Sequence, residues 1–408
     1  MLDVEEARRR VLDAVESVEP HEALVSDAIG LVVARDLRAP HDLPRFANSA
    51  MDGFAVRAAD AARASTDTPV LLEIVGEIRA GGPVEDLVVR ACTAARIMTG
   101  APVPPGADAI VPVEVTEDAG DKVAIMAASP QGRHVRPAGE DVRAGDLVVA
   151  AGAEIGPGEA AVLASLGLSP LSVRGGPKVA VLVTGDELVA PEAEPGPGQI
   201  RDSNSVALHA LVAAAGGDVV PMGPVADDRA AVVDAFERAA ELADLVVSSG
   251  GVAVGKYDFV KDVVSELGSV DMWRVAMQPG KPVVLGSVRG TPFLGLPGNP
   301  VSIHVSFEQF VRPAIRKMRG CSSLLRPVVI ASLTEPLSKP PGRLHFVRVR
   351  LEVDESGWRA TPTGPQGSHI QSSLVGCDGV ARFELDKTEL AAGDEVEVEV
   401  WRLPDRPR

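Results

Sequence analysis

Apolar side chains recur at helical spacing in residues 3–18. Val4, Ala7, Val11, Ala14 and Val15 would share one face, so the spacing predicts an N-terminal helix stopped by Pro20. From about Leu43 to Arg136 the pattern changes to short apolar runs at 70–75, 95–98 and 109–115. Gly and Pro separate these runs, which predicts a β-rich insert. Residues 159–166 (EAAVLASL), following Pro157, predict a short helix with proline near its start.

The texture then changes again. Residues 178–184 (KVAVLVT) form a continuous β-branched run ending at Gly185. A helix is predicted over 205–215 behind Ser203 and Asn204, which are good capping residues. A short strand at 219–220, a helix at 229–242 and a buried strand at 245–249 (LVVSS) follow. Helices alternating with wholly apolar strands predict a parallel α/β sheet covered on both faces. After Cys321 the chain reverts to alternating strands such as 347–353 and 395–400. The fold class read from this pattern is α/β plus β in a multidomain chain. A linking domain takes residues 1–42, with the N-terminal helix, and 137–171. The β-rich insert takes 43–136, the central α/β domain 172–322, and a small C-terminal β domain 323–408.

Composition narrows the function classes. At 408 residues, with 46% hydrophobic and 24% charged residues, the chain is globular and long enough for several cores. Aromatics at 3% and a net charge of −17 argue against nucleic-acid binding, which relies on stacking and phosphate neutralisation. Any anion site must therefore be local, built from backbone N–H groups and a few cations. Cys92, Cys321 and Cys377 are too few and too scattered for a disulfide framework or structural zinc, and read as isolated reduced core thiols. The acidic N-terminus is unlike a signal peptide, and no uninterrupted apolar stretch is long enough to span a bilayer. A cytoplasmic protein without membrane contact is expected.

In an open α/β sheet, ligands bind beyond the carboxyl ends of the strands. Three such ends carry unusual residues. Thr184, Gly185, Asp186 and Glu187 follow KVAVLVT. Ser249, Gly250, Gly251, Gly255, Lys256 and Asp258 follow LVVSS. Pro297, Gly298, Asn299 and Pro300 form the third loop. The glycines admit close approach of a ligand to backbone N–H groups. Asp186, Glu187 and Asp258 offer hard oxygen ligands suited to Mg²⁺. Each loop alone also reads as an ordinary turn, and the acids as solvated surface. Gly250 to Lys256 matches the first seven positions of a P-loop, but Tyr257 replaces the Ser or Thr that ligates Mg²⁺, which argues against an NTPase. In the insert, the segments 44–55 and 96–102 place Asp52 and Thr99 in polar-then-glycine loops. Taken alone, Asp52-Gly53 reads more simply as a hairpin turn and Thr99 as a turn residue.

Taken in order, these segments resemble the molybdopterin molybdotransferase family (MoeA-like), which includes the C-terminal domain of gephyrin. The match is carried by P-x-F-x-x-S-x-M-D-G-F-A at 44–55, R-I-M-T-G-A-P-V-P-x-G-A-D at 96–108 and R-P-A-G-E-D at 136–141. It continues through T-G-D-E-L at 184–188, G-Q-I-R-D-S-N at 198–204 and S-G-G-V-x-V-G-x-x-D at 249–258. Q-P-G-K-P at 278–282, L-P-G-N-P-V-S at 296–302 and Q-G-S-H at 366–369 complete it. The resemblance implies an elongated homodimer of four-domain subunits, with dimerisation through the linking domain and a cleft shared between chains. It implies insertion of molybdate into adenylyl-molybdopterin with release of AMP, assisted by Mg²⁺. Asp52, Thr99, Asp141, Glu187 and Asp258 would be catalytic. Thr184, Gly185, Ser249, Gly250, Gly251, Gly255, Lys256, Lys281, Pro297, Gly298, Asn299 and Pro300 would bind substrate. Asp186, Glu187 and Asp258 would hold the metal. Asp227 or Asp228 falls at a further acidic position, and His369 reads as a ligand contact or a structural histidine. Lys256, Lys281 and Arg201 could offset the anionic substrates locally. Phe54 and Ala253 depart from the more usual Tyr and Ser.

Two other readings compete. A molybdopterin adenylyltransferase, also expected as a contact partner, uses a similar α/β domain but is usually that domain alone. A receptor-clustering scaffold, the second role of gephyrin, would need an assembly segment that these 408 residues do not contain.

Overall fold

The computed structural model describes residues 1–82, 86–250 and 259–404. The N-terminal helix spans Val4–Asp13, with Asp3 accepting the Glu5 N–H as its cap. It is shorter than its periodicity suggests, because the chain leaves it to bond Val18 N–H to the Met318 carbonyl. Val4, Ala7 and Val11 bury into the core of the α/β sheet. This helix therefore packs against the α/β body.

The rest of the linking region is a three-stranded sheet of His21–Ala23, Leu171–Arg174 and Val32–Val33, backed by the helix Pro157–Ser165. Leu163, Leu171 and Val173 centre its own small core. The insert leaves and re-enters at one point, where Leu43 and Val142 pair as an antiparallel bridge. Its six-stranded sheet has Gly53–Val56 between Ala109–Pro112 and Thr93–Ile97, followed by Val70–Ile78, Lys122–Ile125 and Thr116–Asp118. Two clusters, around Phe54 and Val111 and around Ile78 and Ile97, close the insert on itself. Cys92 lies here exposed, not in a core.

The α/β sheet runs Asp218–Val225, Lys178–Thr184, Leu245–Ser249, Thr291–Leu296, Pro282–Val288, Gly268–Arg274. The first four strands are parallel. Thr291–Leu296, Pro282–Val288 and Gly268–Arg274 are antiparallel neighbours, so two antiparallel strands extend the parallel part. Alternate residues of the strand 178–184 serve opposite faces. Val179 and Val181 join the helices Ser203–Ala214 and Pro300–Ser306, while Ala180 and Leu182 join Arg229–Leu242 and Phe259–Leu267. That two-sided burial explains the unbroken apolar run. After 323, the strands Val328–Leu333, Leu344–Asp354, Gly357–Pro362, Gly379–Phe383 and Glu395–Val400 close into a barrel through an added pairing of the second and fourth. Leu344, Phe346 and Val380 sit in the same cluster as Phe307 and Phe310, fastening the barrel to the α/β body.

Candidate functional site

Parallel register brings three strand ends level. Val183 pairs with Ser249 and Ser249 with Leu296, so the loops that follow emerge side by side. Gly250 N–H donates to the Leu296 carbonyl at 3.2 Å. A β-carbon at Gly250 would stand 3.6 Å from Thr184 Oγ1, and one at Gly298 would stand 3.8 Å from the Gly250 α-carbon. Asn204 ties this floor together, donating to Ser249 Oγ at 3.2 Å and to the Gly298 carbonyl at 2.9 Å. The helix behind it begins at Ser203, two residues earlier than expected, because Asp202 is the cap and accepts from Ser205 N–H. Asn204 is thereby free to serve the floor, a role its reading as a capping residue concealed.

Above the floor opens a cavity of about 640 Å³. Gly250, Pro297, Gly298, Asn299 and Ser302 form one side, and Gln278, Gly280 and Lys281 the second. Arg343 and the Gln366–Gly367–Ser368 turn of the barrel form the third. Asn299 Nδ2 donates to Ser368 Oγ at 3.1 Å, joining floor and barrel. Gly280 is required where it stands: its φ is +103°, and a β-carbon would fall 2.5 Å from Ser306 Oγ. Pro300 starts the helix rather than lining the cavity, and exposed His369 lies beside the lining, not in it. The turn is held from below by Arg348, which is fully buried. Its guanidinium donates to Ser373 Oγ and to the carbonyls of Pro365 and Gly367, and its N–H donates to Gln366 Oε1. Burial lowers the Arg348 pKa to about 10, within the range of a cation at neutral pH.

Among the described residues the cations of the cavity wall are Lys281 and Arg343. Arg343 was not anticipated, since the sequence places it in a loop far from the motif segments. Arg201, expected as a third cation, instead pairs with Glu194 at 3.2 Å. Gly251, Gly255, Lys256 and Asp258 lie outside the described residues.

A second group of acids sits beyond the strand 178–184. Asp186 Oδ1 accepts the Asp227 N–H at 3.0 Å, and Asp186 and Glu187 are exposed. Burial, and then the charges of Asp186 and Glu187, push the Asp227 carboxyl up from its ordinary value. Asp228 is committed elsewhere, capping the helix 229–242 through Ala231 N–H. Asp227 is therefore the acid that faces the strand end. Among the described residues no three His, Cys, Asp or Glu side chains form a metal cage. Asp186 and Glu187 remain as a carboxylate pair.

In the insert, antiparallel pairing of Gly53 with Ile97 sets the residues before one strand beside those after the other. Asp52 Oδ1 accepts Thr99 N–H at 2.6 Å and the Thr99 hydroxyl at 2.7 Å. Those two bonds, the backbone one first, hold the exposed Asp52 carboxyl below the usual carboxylate range. Gly53 opens a strand, not a hairpin turn, and a β-carbon there would collide with the Val111 carbonyl. Phe54 is buried in the insert core with the Arg96 guanidinium 4.9 Å above its ring. Asp141 is exposed, bonded through its N–H to the Leu43 carbonyl, and lines a separate hollow of about 330 Å³. Among the described residues no hydrogen bond, ion pair or hydrophobic cluster joins Asp52 and Thr99 to the cavity at Lys281.

Three family models cover these bodies in order: the MoeA N-terminal region (domain I and II) over 2–167, a probable molybdopterin binding domain over 180–317 and the MoeA C-terminal region (domain IV) over 331–401. Molybdopterin molybdenumtransferase 2 of Mycobacterium tuberculosis is 42% identical across 99% of this chain and 100% of its own. The chain belongs to the molybdopterin molybdenumtransferase family. The Haemophilus influenzae molybdenumtransferase is 36% identical over 98% of both chains. The crystal structure of the Pyrococcus horikoshii MoeA protein superposes with a TM-score of 0.85 at 33% identity, covering 98% of this chain and 99% of that one. The match to the N- and C-terminal MoeA regions separates this chain from a lone molybdopterin-binding domain. Among the described residues no helix is long and apolar enough to cross a membrane.

Proposed function

We propose that this protein is a cytoplasmic molybdenumtransferase that inserts molybdate into adenylyl-molybdopterin and releases AMP. The observation that carries the reading is the cavity where Lys281 and Arg343 converge over a floor of glycine backbone. In a chain of net charge −17 this is a local anion site. Molybdate meets Lys281 from the α/β side and Arg343 and Ser368 from the barrel. The Thr184, Gly185, Ser249 and Gly250 loops, with Gly251, Gly255 and Lys256, take the phosphates of the adenylylated pterin. Pro297, Gly298 and Asn299 shape the boundary between the two substrates.

Asp186 and Glu187 suit Mg²⁺, which takes one or two carboxylates and completes its shell with phosphate and water. Bound there with Asp258, Mg²⁺ would neutralise charge on the phosphoanhydride. Asp52, kept ionised by Thr99, presents a fixed carboxylate. Asp141 and Glu187 are the further acids of the reaction.

The lack of any contact among the described residues between Asp52 or Thr99 and the cavity supports a homodimer in which Asp52 and Thr99 of one subunit complete the cleft of the other. In such a dimer the Asp52 carboxylate would meet the cations Lys281 and Arg343, a favourable pairing of charge. Molybdopterin adenylyltransferase, which makes the substrate, is the natural transient partner. The test is turnover of purified adenylyl-molybdopterin with molybdate and Mg²⁺, following AMP. AMP release that depends on molybdate is expected. Release from ATP and unmodified molybdopterin instead would assign the adenylylation step, and no release from a folded protein would refute the reading.

A further inference from the structure

The helix that begins at the cavity changes its winding partway along. It runs from Pro300–Ser306 through a π-helical turn at Phe307–Val311 into Arg312–Met318. A π turn weakens a helix locally and is kept mainly where it serves a function. Here it carries two buried polar side chains, Glu308 and Gln309, 5% and 1% exposed. Gln309 Nε2 donates to Glu399 Oε2 at 2.6 Å, in the last strand of the barrel. The Gln309 carbonyl accepts from Arg8 Nε at 3.1 Å, and its Oε1 accepts from Arg8 Nη2. Glu308 takes Nε and Nη2 of Arg326, both at 2.9 Å, in a bidentate pair. Arg326 also donates to the Trp401 carbonyl at 3.1 Å, and the Trp401 ring stacks on His304 of the same helix at 4.7 Å. One α/β helix is thus bonded to the lead-in and to the end of the barrel.

The cavity depends on that alignment because Lys281 and Arg343, the cations of its wall among the described residues, come from different bodies. Lys281 follows the α/β side, and Arg343 and Ser368 follow the barrel. A rise of about 1.5 Å per residue puts Gln309 about 10 Å along the helix from Ser302 at the cavity wall. The shared hydrophobic cluster makes the two bodies adhere, but apolar contact has little directional preference. Satisfied buried hydrogen bonds specify one arrangement.

We propose that Gln309 and Glu308 are positioning residues, whose bonds to Glu399 and Arg326 hold Arg343 and Ser368 in register with Lys281 and Gly298 so that one oxyanion meets both sides. The inference rests on the reading of the cavity as the molybdate site. Gln309→Met removes the bonds while nearly conserving volume. It should raise the KM for molybdate roughly tenfold, the scale of one charge-assisted hydrogen bond, with kcat and the KM for adenylyl-molybdopterin within about twofold. Amide exchange in residues 363–370 should quicken roughly tenfold while strand 178–184 is unchanged. The exchanged pair Gln309→Glu with Glu399→Gln keeps a glutamine–carboxylate bond and leaves a carboxylate facing Arg8, so it should restore both readouts. Should Gln309→Met not fold, Glu399→Gln weakens the same bond from the barrel side and should show the same split in smaller measure. Unchanged molybdate KM and exchange, equal losses for both substrates, or failure of the exchanged pair to rescue would each overturn the proposal. If the wild-type protein releases no AMP, the functional reading fails while the exchange measurement still decides the clamp.

Discussion

His345 should make the protein acid-sensitive in a calculable way. Its imidazole is buried, 7% exposed, and neither ring nitrogen finds a hydrogen-bond partner among the described residues. Burial first, then the nearby charges of Arg348, Lys339 and Arg343, push its pKa from 6.5 down to about 4. Both causes disfavour the imidazolium, so the folded protein holds His345 neutral while the unfolded chain takes up a proton near the ordinary value. Stability from this residue is therefore fully present above the unfolded pKa and is lost as pH falls from there toward about 4. At about pH 5.5 the unfolded chain is roughly nine-tenths protonated at this site and the folded one hardly at all. That difference costs about 1.3 kcal/mol relative to about pH 7.5. His345→Leu removes the titration and the two unpaired nitrogens, and should be neutral or stabilising at about pH 7.5. Urea unfolding followed by tryptophan fluorescence reads this directly, because Trp358 and Trp401 report on the barrel region. Wild type should lose about 1.3 kcal/mol more than His345→Leu between the two pH values. His304, also lowered by burial, titrates in both proteins and cancels. Identical pH dependence in the two proteins would mean that His345 finds a partner or solvent that neutralises the argument.

Other outcomes follow from the site. Mixing Asp52→Ala and Asp258→Ala proteins, with subunit exchange verified by mass spectrometry, should recover roughly a quarter of wild-type activity, since about half the dimers would carry one intact shared site. No recovery would put both residues in one chain's site. Arg343→Ala should weaken molybdate binding by on the order of 10-fold while leaving the pterin KM within about twofold. A matching change in both would remove Arg343 from the oxyanion site. His369→Ala should cost less than about tenfold in AMP release, because Ser368 rather than His369 lines the cavity. Gly280→Ala should destabilise the protein by about 1–3 kcal/mol in thermal melts, because a β-carbon there meets Ser306 at a positive φ. An unshifted melting temperature would show that the loop can relax.

The elements legible in the sequence are those whose burial is symmetric. The runs 178–184 and 245–249 are apolar on both faces, and the structure begins and ends those strands where the runs do. The antiparallel extension at 268–288 was not legible, since its strands alternate weakly and pair by a register that only the folded sheet fixes. The glycine-bearing loops announced the cavity floor because close backbone approach needs particular residues at particular places. Arg343 and Arg348 gave no such signal. Their importance comes from tertiary neighbours, a cavity wall and a buried turn, that lie in other segments of the chain. The π turn likewise follows from what Glu308 and Gln309 reach, not from helix propensity.

The neck between Leu43 and Val142 has a consequence for how the molecule could be built. Leu43 N–H donates to the Val142 carbonyl at 2.7 Å and Val142 N–H returns a bond to the Leu43 carbonyl at 3.1 Å. Topologically, everything from 44 to 141 is one excursion whose two ends touch, and it carries its own core. A short turn joining 43 to 142 would leave the ladder of Leu37–Arg38 with Leu147–Val149 in place. Such an excised chain would keep the cavity and its cations but discard Asp52 and Thr99. The chain can thus be parsed into a cartridge and a chassis that meet at a neck of two reciprocal backbone bonds.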